Sequence, residues 1–283
     1  MQRVSAFALT TFVAAQYNAS WNNNREPLFH TCVESLLKHG LVGRGSLVDA
    51  GANDGAETAW LAQLHPGREV LSFEPLRENY KVLKELTAKL PNVVATNGGL
   101  GAEMTNGSYP AYLDYMGSGW AAQLSAPDQQ MHLKHSQIIQ ARRAPVARHS
   151  TVSFPIVTID SLFANDSSDE PRRLAFAHWD VEGFEMDVLA GARATLVRDR
   201  PFFTIESLPQ SRPAHHAKMV AFIAELGYML APIPESCGSP EDCRNLLAVP
   251  EERLRARECR VLATSCQIFH NRSCAAQNVS ARD

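Results

Sequence analysis

Apolar residues recur along this chain in two alternating rhythms. Between residues 27 and 39 they fall at 28, 29, 32, 33, 36 and 37, the spacing of one helix face, and Gly40 stops the run. A strand is predicted over 47–50, then a helix over 56–64 with Trp60 and Leu61 on its buried side. Residues 69–73 read as a second strand and 75–90 as a helix with Leu76, Tyr80, Leu83, Leu86 and Leu90 on one stripe. A third strand over 92–96 runs into Asn97-Gly98-Gly99. The stretch 105–150 breaks the rhythm. It resumes with a strand over 152–159, Asp160 as the expected cap of a helix, and an apolar strand from Leu174 that ends in Asp180. A helix over 184–197, a strand over 201–206, a helix over 219–226 closed by Gly227, and strands over 228–232 and 246–250 complete the pattern. Strands alternating with helices predict an α/β fold with a doubly wound, mostly parallel sheet.

The first strand runs into Asp49-Ala50-Gly51-Ala52-Asn53-Asp54-Gly55, a D-x-G-x-x-x-G turn, and the second ends in Glu74. Gly51 and Gly55 permit a tight turn and close approach of backbone N–H groups to a ligand. Glu74, at the next strand tip, is placed to accept hydrogen bonds from ribose hydroxyls. The turn is not G-x-G-x-x-G, the sequence that wraps a pyrophosphate. Asp49 lies two residues before the first glycine, where an anion repels a pyrophosphate and attracts an ammonium or sulfonium. These residues point to S-adenosylmethionine, with Asp49, Gly51, Asn53, Gly55, Glu74 and Asn97 as candidate contacts. Taken singly, the glycines serve equally well for helix–strand packing, and Glu74 as a solvated strand end before a helix opened by Pro75. Their pairing within one βαβ unit favours the ligand. Asp180 and Glu182 come to the same carboxyl edge, where open α/β sheets bind ligands, and Glu206 ends another strand there. His178 shares a face with Asp180 by strand alternation; it reads either as a proton acceptor or as a hydrogen-bonded core residue.

At 283 residues and 45% hydrophobic, the chain is long enough for one substantial core with an appendage. A net charge of −3, with no long basic run, disfavours nucleic acid as the main substrate. No apolar stretch approaches the length of a membrane span. Met1-Gln2-Arg3 precedes a Thr-interrupted apolar run over 4–15 that reads either as a short signal segment or as an ordinary leader. Five N-x-S sequons, at Asn18, Asn106, Asn165, Asn271 and Asn278, exceed the roughly one or two that chance supplies. Five of the six cysteines (Cys237, Cys243, Cys259, Cys266 and Cys274) crowd near the C-terminus without C-x-x-C spacing, which favours disulfides over structural zinc. A Cys237–Cys243 bond is expected, with further pairs among the other four, including Cys32. A lumenal or extracellular location is therefore favoured, with the cytoplasm as the alternative. Within 105–150, Tyr109, Tyr112, Tyr115 and Trp120 precede a His- and Arg-bearing stretch, which reads as a solvated insertion or acceptor-side lid. His132 and His135 lack the spacing and carboxylate company of a metal site, and no metal is expected. The predicted organisation is a leader over 1–26, one domain over 27–252 and a Cys-rich tail over 253–283.

Five segments occur in a fixed order: Val48-Asp49-Ala50-Gly51-Ala52-Asn53-Asp54-Gly55, Phe73-Glu74-Pro75, Thr158-Ile159-Asp160-Ser161-Leu162, Asp180-Val181-Glu182-Gly183-Phe184-Glu185 and Pro201-Phe202-Phe203-Thr204-Ile205-Glu206. Together they resemble the FkbM-type methyltransferases over residues 30–252. The resemblance implies the seven-stranded methyltransferase sheet, S-adenosylmethionine as donor, and O-methylation of a hydroxyl on a sugar, a glycan or a small natural product. This chain departs from the family at His178, where a lysine is usual, so the proton path is open at that position. In-line transfer needs alignment of the acceptor and a group to take its proton. Asp180 is the first candidate for the reaction centre and His178 a candidate base, while Glu182 and Glu206 bind acceptor hydroxyls or organise the pocket. Two other classes stand beside this one. A nicotinamide-dependent dehydrogenase is disfavoured by the turn sequence; a catalytically silent lumenal module of the same fold, binding glycans or acting as a scaffold, is the alternative.

Overall fold

The computed structural model describes residues 27–111, 150–164, 171–207, 209, 212–234 and 245–268. Its first half winds through α1 (Pro27–Lys38), β1 (Ser46–Ala50), α2 (Ala56–Leu64), β2 (Val70–Phe73), α3 (Arg77–Thr87) and β3 (Val93–Thr96). Three strands, β4 (Gly99–Leu100), β5 (Thr105–Pro110) and β6 (Thr151–Val157), lead to the short helix α4 (Ile159–Leu162). The second half runs β7 (Leu174–Trp179), α5 (Glu185–Ala190), α6 (Arg193–Asp199), β8 (Phe202–Glu206) and α7 (Pro213–Glu225). It ends with β9 (Tyr228–Pro232), β10 (Asn245–Pro250) and α8 (Ala256–Ser265).

Seven strands form one sheet in the order β3-β2-β1-β7-β8-β10-β9. β1 pairs parallel with β2 and β7, β2 with β3, and β7 with β8, while β10 runs antiparallel to both β8 and β9. This is the mostly parallel sheet that the alternating pattern predicts, since parallel neighbours need a crossover and the amphipathic helices supply it. The winding reverses between β1 and β7. Such a reversal opens a crevice at the carboxyl ends of the two strands.

Side chains alternate across a strand, so the register sorts the sheet residues onto two faces. Leu47, Val70, Phe176, Phe202 and Leu247 pack with Phe29, Val33, Leu36 and Leu262 of α1 and α8 and with Leu61 of α2. Val48, Leu71, Ala177, Phe203 and Ala248 pack on the other side with Ile159, Val188, Leu196, Met219 and Ile223. Burial of large side chains like these is worth about 1.5–3 kcal/mol each. Tertiary packing, more than intrinsic propensity, therefore holds the short helices.

Several elements differ from the sequence expectation. Strand β6 does not join the large sheet; it pairs with β4 and β5 in a separate three-stranded sheet. Its alternate residues Val152 and Phe154 cluster with Leu76 and Tyr109, beside the tip of β2. Asn106, expected in a loop, is an exposed residue of β5 opposite Pro155. The helix expected over 184–197 breaks at Gly191, where a Cβ would lie 2.0 Å from the carbonyl oxygen of Gly101. Asp160 does not cap its own helix. Thr158 Oγ1 accepts the Ser161 N–H at the start of α4, and the Asp160 carboxylate accepts the N–H groups of Ala194 and Thr195 in the first turn of α6. Beyond residue 252 the chain stays in the core as far as Ile268: Leu254, Val261, Leu262 and Ile268 are buried in it, and Cys266 is disulfide-bonded to Cys32 of α1. The leader, the Cys237–Cys243 loop, residues 112–149 and the sequons Asn18, Asn165, Asn271 and Asn278 lie outside the described residues.

Candidate active site

On the face covered by α1 and α2, cross-strand register builds rows of side chains over β2, β1, β7 and β8. One row is apolar, Val70-Leu47-Phe176-Phe202, and the next is polar, Ser72-Asp49-His178-Thr204. One alternation further along each strand, at the carboxyl edge, stand Glu74, Gly51, Asp180 and Glu206. The fold thus brings most of the sequence-predicted residues into two adjoining rows.

The donor half is built on the β1 turn. Gly51 sits at φ +80°, and a Cβ there would lie 1.8 Å from the carbonyl oxygen of Asp180. Only glycine lets the turn press against the end of β7 in this way. Gly51 and Ala52 both donate their N–H to the Phe73 carbonyl at 3.0 Å. Asn53, at φ +51°, donates its N–H to Glu74 Oε2 at 2.8 Å, and Leu76 donates to Oε1 at 2.8 Å. The Asn79 side chain also hydrogen-bonds this carboxylate, which keeps lone-pair capacity for a ligand hydroxyl. Burial pushes the Glu74 carboxyl up to about 7; the two backbone N–H bonds work against this and the nearby Asp49 adds to it.

Two predicted donor contacts are placed elsewhere. Asn97 Nδ2 donates to the carbonyls of Glu74 and Pro75, at 2.9 and 3.0 Å, so this side chain holds the main chain at the tip of β2. Gly55 makes room for a neighbouring helix, since a Cβ there would lie 2.6 Å from Leu83 Cδ1 of α3. Behind the turn, Asp49 is buried and accepts a hydrogen bond from Thr58 Oγ1 at 2.5 Å. Burial raises its carboxyl, and His178 is the chief opposing influence. His178 is itself buried, with Nδ1 2.9 Å from Thr204 Oγ1 and its ring centroid 4.9 Å from that of Phe29.

The acceptor half follows β7. Asp180 donates its N–H to the Ala50 carbonyl at 3.1 Å, and its buried Oδ1 has no hydrogen-bond partner among the described residues. Glu182 (φ +55°) and Gly183 (φ +107°) then turn the chain. An L-residue in that region costs about 1–2 kcal/mol, strain of the kind that gathers at functional turns. Glu185 accepts the Gly183 N–H at 2.8 Å, lies 3.6 Å from His215 Nε2, and is raised by burial. The Arg212 guanidinium packs over Gly183, leaving no room for a side chain there. Glu206 is buried at the end of β8 opposite Asn245, and the following Ser207 Oγ is 2.6 Å from His216 Nδ1. Thr58, Ser72, Thr204 and Arg212 are not among the candidate site residues that the sequence offers. A signal existed for two of them. In Val70-Leu71-Ser72-Phe73 and Phe202-Phe203-Thr204-Ile205, a polar residue interrupts an apolar strand on the face that ends in a carboxylate.

Where a dinucleotide fold of this winding receives a pyrophosphate, this chain sets carboxylates behind and beside the first turn. A pocket so built selects a nucleoside carrying positive charge, the donor class of S-adenosylmethionine-dependent methyltransferases. Residues 49–230, well over half of the chain, match the methyltransferase FkbM domain, and the protein belongs to that family. Among solved structures, a methyltransferase FkbM from Methylobacillus flagellatus is 17% identical with a TM-score of 0.45, over 76% of this chain and 47% of that one. The present chain thus spans about half the length of that relative. Aeropyrum pernix fibrillarin in complex with natively bound S-adenosyl-L-methionine is 11% identical over 76% of this chain and 72% of its own, with a TM-score of 0.39. The CcbJ methyltransferase from Streptomyces caelestis is 13% identical over 79% and 89%, with a TM-score of 0.38. No curated protein sequence matches. Each of these TM-scores is below 0.5, and family membership rests on the 49–230 match.

Proposed function

We propose that this protein transfers the methyl group of S-adenosylmethionine to a hydroxyl of a sugar, a glycan or a small natural product, in the secretory lumen or outside the cell. The observation that carries the donor half is the gathering of carboxylates at the crevice. Asp49 and Glu74 are buried there and held above the ordinary carboxylate range, with Asp180 beside them. Buried carboxylates are costly until a cation meets them. A ligand with a sulfonium and an ammonium fits that need, and a ribose hydroxyl fits the acceptor capacity that Glu74 retains.

The donor brings a methyl group on an excellent leaving group, so the chain's task is alignment. Gly51 lets the turn close on β7, Asn53 N–H and Leu76 N–H aim the Glu74 carboxylate, and Asp49 lies behind the turn as the counter-charge. Asp180, whose inward oxygen is uncommitted, orients the acceptor hydroxyl and takes up its proton. Glu182 and Glu206 flank it and bind further acceptor hydroxyls. The compartment reading is supported by the Cys32–Cys266 disulfide, by Cys259, which is also disulfide-bonded, and by the exposed sequon at Asn106. Among the described residues no helix is long and apolar enough to cross a membrane. Calorimetric titration with S-adenosylmethionine tests the donor half. Labelled donor offered with a panel of glycans and small hydroxylated compounds tests the acceptor half. Donor binding with no transfer to any acceptor would favour the silent module instead.

A further inference from the structure

The polar row lies one alternation behind the crevice, and the row before it is apolar. All four members are at least nine-tenths buried, with Ser72 and Thr204 at 0% exposure, Asp49 at 1% and His178 at 7%. Both ends are tied down by hydroxyls. Thr58 Oγ1 reaches Asp49 Oδ2 at 2.5 Å and Ser72 Oγ at 2.8 Å, and Thr204 Oγ1 meets His178 Nδ1 at 2.9 Å. Between them, Asp49 and His178 are register partners on adjacent strands. The groups around Asp49 are mostly of its own sign: Asp180 at the end of β7, Asp54 in the β1–α2 turn and Glu74 at the tip of β2. From α2 comes the neutral Thr58, and from α1 the Phe29 ring covers His178. Of these neighbours His178 and the Thr58 hydroxyl favour the Asp49 carboxylate, and the other carboxylates oppose it.

We propose that Asp49 and His178 hold a proton between them in the empty protein, and that binding of the sulfonium donor drives this proton into solvent. This rests on the donor reading above. A carboxylate so deeply buried among other carboxylates is best neutralised, by its own proton or by that of the adjacent imidazole, until a cation arrives. The donor's sulfonium supplies the positive charge, and the proton becomes surplus. S-adenosylhomocysteine has a neutral thioether in the same place and leaves the proton where it is. The pair thereby discriminates donor from spent product by charge alone. Binding that releases a proton strengthens as pH rises, so the preference for donor over product grows with pH.

Calorimetry of the full chain, in two buffers of different ionisation enthalpy, counts the protons released by each ligand. The ribose and the amino-acid moiety are common to both ligands, so protons that Glu74 or the ligand amine contributes cancel in the difference. At pH 7 the donor should release about half a proton or more beyond what S-adenosylhomocysteine releases. Asp49→Asn should abolish the difference. His178→Gln should keep it and move its half-maximal pH downward, because one of the two groups that share the proton is gone. If Asp49→Asn does not fold, by thermal unfolding, the His178→Gln profile carries the test. Equal proton counts for the two ligands in the parent, or a difference indifferent to both substitutions, overturns the inference while leaving the donor reading intact. Failure of the parent to bind either ligand overturns both.

Discussion

Glu74 is held by one backbone N–H on each carboxylate oxygen, and its removal should tell on the donor directly. Glu74→Ala should weaken S-adenosylmethionine binding by about 1.5–3 kcal/mol, the range for hydrogen bonds to a charged group, read by calorimetry. The same residue sets a pH dependence. Its carboxyl stands at about 7 in the folded protein against 4.5 in the unfolded chain. Between those values the folded state holds a proton that the unfolded chain has lost, so stability of the empty protein falls as pH rises through that window. Glu74→Gln has no such proton, and thermal unfolding across pH 4–8 should show a shallower decline; an unchanged slope would remove Glu74 as its source. Asp180→Asn should keep the fold and most donor affinity while losing most turnover, since it takes away the charge that receives the acceptor proton. A parental rate on the true acceptor would sink that role. Gly51 carries a different lesson: a side chain there strikes the Asp180 backbone before it reaches any ligand.

Two elements are held by partners remote in sequence. The first turn of α6 takes its cap from Asp160, which accepts two of its N–H groups from the start of α4. Asp160→Ala should therefore destabilise the protein by about 1–2 kcal/mol, measured by denaturant unfolding. Helices α1 and α8, from opposite ends of the described chain, pack together and are joined by Cys32–Cys266. Replacing both cysteines by serine should cost about 2–4 kcal/mol of stability, by constraint on the unfolded chain. Reductant should lower the parent's melting temperature and leave this contribution absent in the double variant. Because α1 carries Phe29 against His178, the same helix that the disulfide secures also covers the polar row.

For the whole molecule, the disulfide ties the first and last described helices under one face of the sheet, and α8 belongs to the core rather than to a polar tail. Non-reducing peptide mapping of protein from its native host should recover Cys32 linked to Cys266. A glycan at Asn106 would accord with its exposure on β5. Recovery of six free thiols without any glycan would place the protein in a reducing compartment.

The periodicities, the turn glycines and the carboxylates at strand ends are local properties, and they were legible: a doubly wound, mostly parallel sheet and the pairing of Asp49, Gly51 and Glu74 around one turn could be read from spacing, while the count of seven strands came from the family resemblance. Strand β6 was misassigned because its alternation is the same whichever sheet it joins; contact with Tyr109 and Leu76 decides which. Gly51 and Gly55 look alike in the chain, yet one abuts the Asp180 carbonyl and the other Leu83 of a helix. Register was beyond the sequence as well. Ser72, Asp49, His178 and Thr204 lie on four strands from widely separated stretches, and only their side-by-side pairing makes them one buried row. Local pattern determines which residues can form a strand and which end carries a charge. Which charges then neutralise one another depends on distance and burial, and the packed sheet alone sets those.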